Sequence, residues 1–241
     1  MTDEQRQALV AEIRARLGAV AEPRRAEGAA RFFSRYTPLI LGAPSGYAQG
    51  LGAELGRRLR SEGRAAGEAD AAGLMDAVAV AGELLSSGVM EEAAVANELL
   101  GRFWRRLAPG DWALFDRWLD LANCWATTDS FCIKVLAPLV LRDGPPMERL
   151  RRWARSEHIW HRRAALVSLV RSARKGQYVA ELFQLTDMLL ADADDLLQKA
   201  IGWLLKELCK GDEPAVRGYL ASRAGRMTRL AARYAREGLK E

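Results

Sequence analysis

Pairs of a tryptophan and an ionisable residue at helical spacing are the feature of this sequence best suited to chemistry. Three such pairs are three or four residues apart: Trp125 with Asp129, Trp160 with Arg163, and Lys199 with Trp203. Residues at this spacing share one face of a helix. A face that joins an aromatic surface to a charge is suited to holding an anion and a flat base together. These pairs therefore mark the first place to look for a functional site.

The pairs differ in the charge they carry. The guanidinium of Arg163 and the N-terminal N–H groups of helices favour phosphate, whereas Asp129 would repel it. A carboxylate is useful there when positive charge develops nearby. Cleavage of the N-glycosidic bond of an alkylated purine is such a case, because an ionised Asp, with an ordinary pKa of about 3.9, stabilises cationic character on the deoxyribose. Alternatively, Asp129 is only a residue at a helix N-terminus that interacts favourably with the helix dipole.

The elements that must position these residues are predicted to be helices, because apolar residues recur at i, i+3, i+4 and i+7 along almost the whole chain. Proline and glycine mark the breaks. The predicted helices cover residues 3–19, 22–35, 44–62, 72–87, 89–107, 111–122, 127–141, 145–156, 158–174, 177–190, 193–210, 212–223 and 226–238. The predicted fold class is all-α, and Asp129, Arg163 and Trp203 are expected in the first turns of their helices.

A repeat accompanies the helices. Similar helix starts place Glu92, Thr128, Arg163, Lys199 and Arg229 at intervals of 36, 35, 36 and 30 residues. One helix pair per period is typical of HEAT-like arrays and predicts a curved solenoid of antiparallel helix pairs with a concave groove. A helical bundle with similar loop lengths would give the same intervals. We expect one domain over 1–241, with looser N-terminal repeats over 1–88 and functional repeats over 89–241.

Charge is distributed unevenly along the chain. Residues 1–141 carry 16 basic and 18 acidic residues, and residues 142–241 carry 20 basic and 13 acidic residues. Arginine accounts for 30 of the 36 bases, and it is the better bidentate phosphate ligand. The asymmetry favours a polyanionic partner for the C-terminal half, although Arg is also a good helix former.

Composition argues against several classes of protein. Three cysteines without a CxxC pair, and only two histidines, argue against a zinc site and predict reduced thiols. We expect no metal and no cofactor. No apolar run approaches the roughly 18–20 residues of a membrane span, and the N-terminus is typical of an amphipathic helix rather than a signal peptide. The expected localisation is cytoplasmic, at the nucleoid when acting on DNA, with no membrane partner.

Several segments carry a resemblance to a known family. NCWATTDS (123–130), HIWHRRAAL (158–166) and LLQKAIGWLLKEL (196–208) resemble the AlkD-type DNA alkylation repair glycosylases, which are HEAT-like-repeat proteins. The match spans about residues 120–238 and is looser in AARFFSRYTPLILG (29–42). The resemblance implies a monofunctional DNA glycosylase of base excision repair, which hydrolyses cationic N3- or N7-alkylated purines in duplex DNA without flipping the base.

The resemblance also implies roles for individual residues. Asp129 matches the catalytic aspartate, which stabilises oxocarbenium character and orients water. Trp125 matches the tryptophan that packs on the deoxyribose of the lesion, and Trp203 the second tryptophan of the cleft. Arg163 matches the arginine that holds the DNA backbone. The candidate DNA contacts are Arg163, Arg162, Lys199, Lys206, Arg229, Arg233 and Phe32.

The sequence departs from the family pattern at two positions. Phe32 stands where the family often presents a tyrosine, so a hydroxyl contact is lost. Cys124 replaces an aromatic residue just before Trp125, which alters local packing or lesion preference.

Other interpretations remain open at this point. Asp194 or Asp195 could pair with Arg163 inside the protein, and Trp160 could merely support Arg163. The core is predicted to contain Trp104, Trp112, Trp118 and Trp153. The expected partner is double-stranded DNA with alkylated purines, bound by a monomer without a nucleotide cofactor. The alternatives are a non-catalytic HEAT-repeat protein that binds damaged or branched DNA, which has no use for Asp129, and a HEAT-type protein-interaction scaffold, whose duplex affinity would lack salt dependence.

Overall fold

Helices form the elements of the chain. The computed structural model describes residues 1–33, 35–65 and 71–240. Within those ranges the extended pairing is limited to an isolated parallel bridge between Leu39 and Val89. The all-α prediction is confirmed. Across the same ranges, no helix is both long enough and apolar enough to cross a membrane.

The helices divide between two compact units, Met1–Val135 (unit 1) and Leu136–Glu241 (unit 2). Unit 1 contains α1 Asp3–Ala19, α2 Pro23–Ala30, α3 Ser45–Ala65, α4 Ala71–Ser86, α5 Met90–Gly101, α6 Trp112–Asp120 and α7 Trp125–Phe131. Unit 2 contains α8 Ala137–Asp143, α9 Met147–Ala154, α10 Ile159–Val167, α11 Val170–Ala173, α12 Val179–Leu189, α13 Asp195–Ser222 and α14 Arg229–Arg236. Short 3₁₀ turns lie at Trp104–Arg106 and Pro109–Asp111, and a π-helical turn covers Cys132–Leu136.

The local sequence explains how the first helix begins. The hydroxyl of Thr2 accepts the N–H of Gln5 at 3.2 Å, and the side chain of Gln5 accepts the N–H of Thr2 at 2.8 Å. This reciprocal arrangement is a capping box, and it satisfies two N–H groups at the start of α1. Apolar residues of α1 then face the interior, where Ile13 and Leu17 are fully buried.

Several predicted helices differ from the observed ones. The span 22–35 ends at Ala30, and position 34 lies outside the described residues. The span 127–141 begins two residues earlier and is divided by the π-helical turn. The break predicted between the spans 193–210 and 212–223 is confirmed as a kink inside α13 at Asp212, whose backbone is not helical (φ −153°, ψ 75°).

Another difference is the span 89–107, because α5 ends at Gly101. The backbone N–H groups of Arg102 and Phe103 then bond to carbonyls three residues earlier, at 3.0 and 2.8 Å. These shorter bonds tighten the end of the helix into turns.

α5 holds two other parts of unit 1 in place through buried polar side chains. The carboxylate of Glu91 accepts the N–H groups of Leu41 at 3.0 Å and Gly42 at 2.7 Å. The amide nitrogen of Asn97 donates to the carbonyl of Thr127 at 2.9 Å. A buried polar group left without its partner is costly. These bonds therefore fix both the segment before α3 and α7 on the same helix.

α13 and α14 of unit 2 pack closely around Gly202. A Cβ at this position would lie 2.4 Å from the Cβ of Tyr234 and 2.8 Å from the carbonyl oxygen of Ala231, so the side chain must be absent. Ala231 and Ala235 of α14 are fully buried at the same contact. Small residues thus set α14 against the part of α13 that carries Trp203.

The tryptophans predicted for the core are buried at three of four positions. Trp112, Trp118 and Trp153 are buried, whereas Trp104 is half-buried under the guanidinium of Arg105. Trp160, considered as a support for Arg163, is 2% exposed.

Candidate functional site

α7 is the short helix that carries Trp125 and Asp129. Its first residue is Trp125, and the N-cap position is Cys124, whose carbonyl accepts the hydroxyls of Thr127 at 3.0 Å and Thr128 at 2.9 Å. The two threonines are buried. Their hydroxyl bonds to this carbonyl hold the start of the helix. The side chain of Cys124 itself forms no cap bond.

Trp125 and Asp129 share one face of α7, and both are half-exposed. Asp129 is the fifth residue of the helix, whereas the unpaired N–H groups of a helix belong to its first four residues. The interpretation of Asp129 as an N-terminal residue stabilising the dipole is therefore wrong, and so is its placement in the first turn. The carboxylate lies one turn from Trp125 on the same face of α7, away from the helix N-terminus.

The aromatic ring of Trp125 has a partner of its own. The ring of Phe33 stacks on it with centroids 5.4 Å apart and planes at 24°. Phe33 is 6% exposed, while its neighbour Phe32 is 77% exposed. The residue of the early aromatic pair that meets Trp125 is thus Phe33, and Phe32 lies at the surface in the turn after α2.

Cys124 is fully buried, and its thiol lies 3.5 Å from the hydroxyl of Thr127. Burial raises the pKa of this thiol, with a smaller contribution from the charge of Asp129. The departure at Cys124 therefore changes the packing under α7 rather than a surface that a ligand could touch. All three cysteines are buried free thiols, as predicted.

The turn that follows α7 is held by an ion pair. Lys134, in the π-helical turn, bonds to Glu98 of α5, which also accepts the guanidinium of Arg102 at 2.7 Å. Burial acts to raise the pKa of Glu98, but the bonds and charges of Lys134 and Arg102 together lower it. The π-helical turn thus adds another attachment between α5 and the region that carries Asp129.

In unit 2, the two arginines of α10 are engaged within the protein. Arg163 is 6% exposed, and its guanidinium donates to the carbonyl of Leu196 in the first turn of α13. Arg162 donates to the carbonyls of Ser156 and Glu157, both at 2.8 Å, and pairs with Asp192 at 2.8 Å. Both side chains fasten α10 to the start of α13 and to the loop before it. Neither presents a free guanidinium to a phosphate in this arrangement.

Trp203 and Lys199 are both half-exposed on α13, one turn apart. Trp203 is the ninth residue of α13 and Arg163 the fifth of α10, so neither lies in a first turn as predicted. The N-terminal N–H groups of α13 therefore do not lie beside Trp203.

Three predicted DNA contacts carry unpaired positive charge. Among the described residues, no carboxylate forms an ion pair with Lys199, Arg229 or Arg233. Arg229 and Arg233 are exposed, one turn apart on α14, and Arg233 lies over the ring of Tyr234 at 5.4 Å. Lys206 instead pairs with Glu237 at 2.7 Å, which raises the pKa of Lys206.

Two residues that build this site, Phe33 and Asn97, were not predicted from the sequence. The predicted helix ran to residue 35, whereas α2 ends at Ala30, and the orientation of Phe33 depends on the turn that follows. Asn97 had a signal, since it is the lone amide among the apolar residues of EEAAVANELL. A buried polar residue inside an apolar helix face usually has a partner.

No metal site accompanies these residues in the part of the chain that the structure describes. There, no group of three or more His, Cys, Asp or Glu side chains is arranged to hold a metal ion. His158 and His161 face each other edge to face with ring centroids 5.5 Å apart, and His161 packs against Trp153.

Comparison with solved structures identifies the fold. A predicted DNA alkylation repair enzyme from Enterococcus faecalis superposes with a TM-score of 0.76, covering 92% of this chain and 97% of that chain at 17% identity. A search of curated proteins found no match. The fold is thus one adopted by a helical protein of the DNA alkylation repair type.

Comparison with family models identifies the family. The model of the DNA alkylation repair enzyme matches residues 13–239. The chain therefore belongs to the DNA alkylation repair enzyme family. Membership confirms the family suggested by its sequence motifs and gives the chain a role in the repair of alkylated DNA, with DNA as its partner.

Proposed function

We propose that this chain is a monofunctional DNA glycosylase that acts as a monomer on cationic N3- or N7-alkylated purines in duplex DNA. The observation that carries the proposal is the pair on α7. Trp125 and Asp129 lie on one face of that helix, and both keep contact with solvent. The helix is held to α5 by a buried hydrogen bond, and the turn after it by an ion pair. A fixed, accessible carboxylate beside an aromatic ring is the arrangement that this reaction needs.

The reaction breaks the bond between C1′ of the deoxyribose and the ring nitrogen of the purine. The electron pair of that bond leaves with the base, which departs neutral because it began as a cation. Positive charge remains on the sugar, where water adds at C1′ and loses a proton, leaving an abasic site. Because alkylation already activates the leaving base, no second carboxylate is required as general acid, in contrast with most sugar hydrolases.

Asp129 supplies the charge that this step needs. Its carboxylate stabilises the cationic character of the sugar and orients the attacking water. The adjacent ring of Trp125 packs on the deoxyribose and favours the same positive charge. A lyase step would need an amine nucleophile, and Lys134, the lysine next to α7 in sequence, is engaged by Glu98.

We propose that the lesion is read from the duplex surface without base flipping, as the resemblance to the AlkD-type glycosylases implies. In support, Trp125 and Asp129 are half-exposed on their face of α7, where a sugar of the duplex backbone can approach them. The small cavity on the other side of α7, lined by Asn97, Trp118, Thr127 and Thr128 among others, does not include either residue.

DNA binding is assigned to unit 2. We propose that the unpaired charges of Lys199, Arg229 and Arg233 contact phosphates and that the half-exposed ring of Trp203 contacts the DNA beside them. Lys206 can also contact a phosphate, because its exposed ion pair with Glu237 is worth little and can exchange for one. Arg163 and Arg162 serve by holding α10 against the start of α13, and exposed Phe32 is a candidate contact from unit 1.

The test is the release of bases from methylated duplex DNA. Purified protein is incubated with DNA treated with a methylating agent, and the freed bases are separated by chromatography. We expect free 3-methyladenine or 7-methylguanine and abasic sites in an otherwise intact strand. Salt-dependent duplex binding without any released base would reject the enzyme in favour of a DNA-binding protein, and absence of both would favour a protein-binding scaffold.

A further inference from the structure

The stack of Phe33 on Trp125 raises the question of what orients the tryptophan. Side chains of a helix lean toward its N-terminus and pack over the preceding turn. Trp125 is the first residue of α7, so no preceding helical turn exists for its ring to pack on. Its support must come from another part of the chain, and Phe33 supplies it at 5.4 Å with nearly parallel planes.

The segment that carries Phe33 is itself fixed. The hydroxyl of Thr37 donates to the carbonyl of Phe33. Further along, the carbonyl of Leu39 accepts the N–H of Met90 at 2.8 Å, and Glu91 binds two backbone N–H groups just beyond it. Both rings of the stack are therefore attached to α5, one through this segment and the other through the bond of Asn97 to α7.

We propose that Phe33 is a positioning residue for Trp125, holding the indole so that it and Asp129 act on the same sugar. This inference rests on the proposed function. It also brings Phe33 and residues 35–42 into the construction of the site, although they lie in the looser N-terminal part of the sequence. Phe33 is nearly buried, so it acts through Trp125 and does not touch the substrate.

The chain offers a matched control. Phe183 stacks on Tyr219 in unit 2 with centroids 4.3 Å apart and planes at 17°, a similar contact with no part in the proposed site. Phe33→Leu and Phe183→Leu each remove one such stack. We expect Phe33→Leu to lower the single-turnover excision rate about tenfold, in line with the strength of an aromatic pair, and to leave affinity for undamaged duplex unchanged. Phe183→Leu should leave both unchanged.

Two further variants separate positioning from loss of stability. Phe33→Tyr keeps the ring and should restore the rate. In a Trp125→Leu background, Phe33→Leu should cause no additional fall in rate, because the group it positions is gone. An equal fall in that background, or failure of Phe33→Tyr to restore the rate, would overturn the inference. Phe33→Met, with a flexible side chain of adaptable packing, replaces Phe33→Leu if the latter does not fold.

A measurement independent of activity completes the test. The fluorescence of Trp125 is obtained by subtracting the spectrum of Trp125→Phe from that of the parent protein. We expect this emission to shift to longer wavelength in Phe33→Leu and not in Phe183→Leu; an unshifted emission in Phe33→Leu contradicts the inference. If the parent releases no base, the proposed function fails, and the emission still decides whether Phe33 orients Trp125.

Discussion

α7 and α10 carry the same kind of sequence pattern but differ in what they leave exposed. Each has a tryptophan within one turn of an ionisable residue. On α7 both members, Trp125 and Asp129, are half-exposed, whereas on α10 Trp160 is 2% exposed and Arg163 is 6% exposed. Spacing determines which face two residues share, and the packing of other elements determines how deeply that face is covered.

The difference has a physical origin in unit 2. Arg163 donates to the backbone of α13, and Arg162 is bonded to carbonyls and to Asp192. A guanidinium has several N–H donors, which can bond to carbonyl and carboxylate oxygens of neighbouring elements. An arginine side chain can therefore be buried when such acceptors surround it. A carboxylate such as that of Asp129 only accepts hydrogen bonds. It can stabilise positive charge that develops on a bound sugar. We therefore expect a catalytic role for the exposed pair of α7 and a structural role for Arg163 of α10.

The most direct test of a catalytic role for α7 is the substitution Asp129→Asn. We expect excision of 7-methylguanine to fall by roughly 100- to 1,000-fold, the scale seen when one charge-stabilising group is removed from an active site. Duplex binding should be kept, because the substitution removes a negative charge that repels DNA. Single-turnover assays and binding titrations measure the two quantities.

The matched control is Glu4→Gln, which neutralises an exposed carboxylate of α1. It should leave the rate unchanged. Excision by Asp129→Asn at the rate of the parent would show that α7 is no more catalytic than α10.

Arg163→Ala tests the other helix. We expect the free energy of unfolding to fall by about 2–3 kcal/mol, because a buried charged hydrogen bond and the packing around it are lost. The dependence of duplex affinity on salt should change little. Urea denaturation and binding at several salt concentrations measure these effects, with Arg155→Ala, at an exposed position in the same unit, as the control.

The opposite result would contradict this role. If Arg163→Ala is as stable as the parent and its duplex affinity depends less on salt, by about one unit of slope, then Arg163 contacts a phosphate and its structural role is wrong.

These two helices also show what the sequence can predict. Apolar periodicity located the helices, and the marked residues of the predicted repeat do fall within the first five residues of α5, α7, α10, α13 and α14. The solenoid itself stays a prediction. Periodicity did not place the end of α2 or the π-helical turn, where Lys134 bonds to α5, whereas Gly211 marked the break that appears as the kink at Asp212.

The candidate site was predictable to the same extent. The shared face of Trp125 and Asp129 follows from a spacing of four residues. Which of Phe32 and Phe33 turns inward depends on the backbone after Ala30, where a change of one residue exchanges a buried ring for an exposed one. The burial of the Arg163 side chain depends on the position of α13, which cannot be read from the sequence of α10.

We expect a smaller effect on DNA binding from the two exposed arginines of α14, which, within the described ranges, are not held by ion pairs as Arg162 is. Arg229→Ala and Arg233→Ala should each weaken duplex binding uniformly across sequences and lower the salt slope by about one. The excision rate at saturating enzyme should stay unchanged, because neither residue reaches the reacting sugar in the proposal. Binding titrations over a salt series measure the slope; an unaltered slope in both variants would remove α14 from the DNA-binding surface.

The smallest effect concerns the ion pair that secures the turn after α7. The pKa of Glu98 is lowered by Lys134 and Arg102 despite burial, so its charged form stabilises the folded protein. That contribution is fully present above the unfolded pKa of about 4.3 and is lost as the pH falls through the lower folded value. Glu98→Gln should therefore reduce the free energy of unfolding by about 1 kcal/mol at pH 7, and the difference from the parent should shrink below about pH 4. Urea denaturation across this range measures it. A difference that is the same at pH 7 and pH 3 would mean that Glu98 acts through packing, and that α7 is held by Asn97 and its threonines alone.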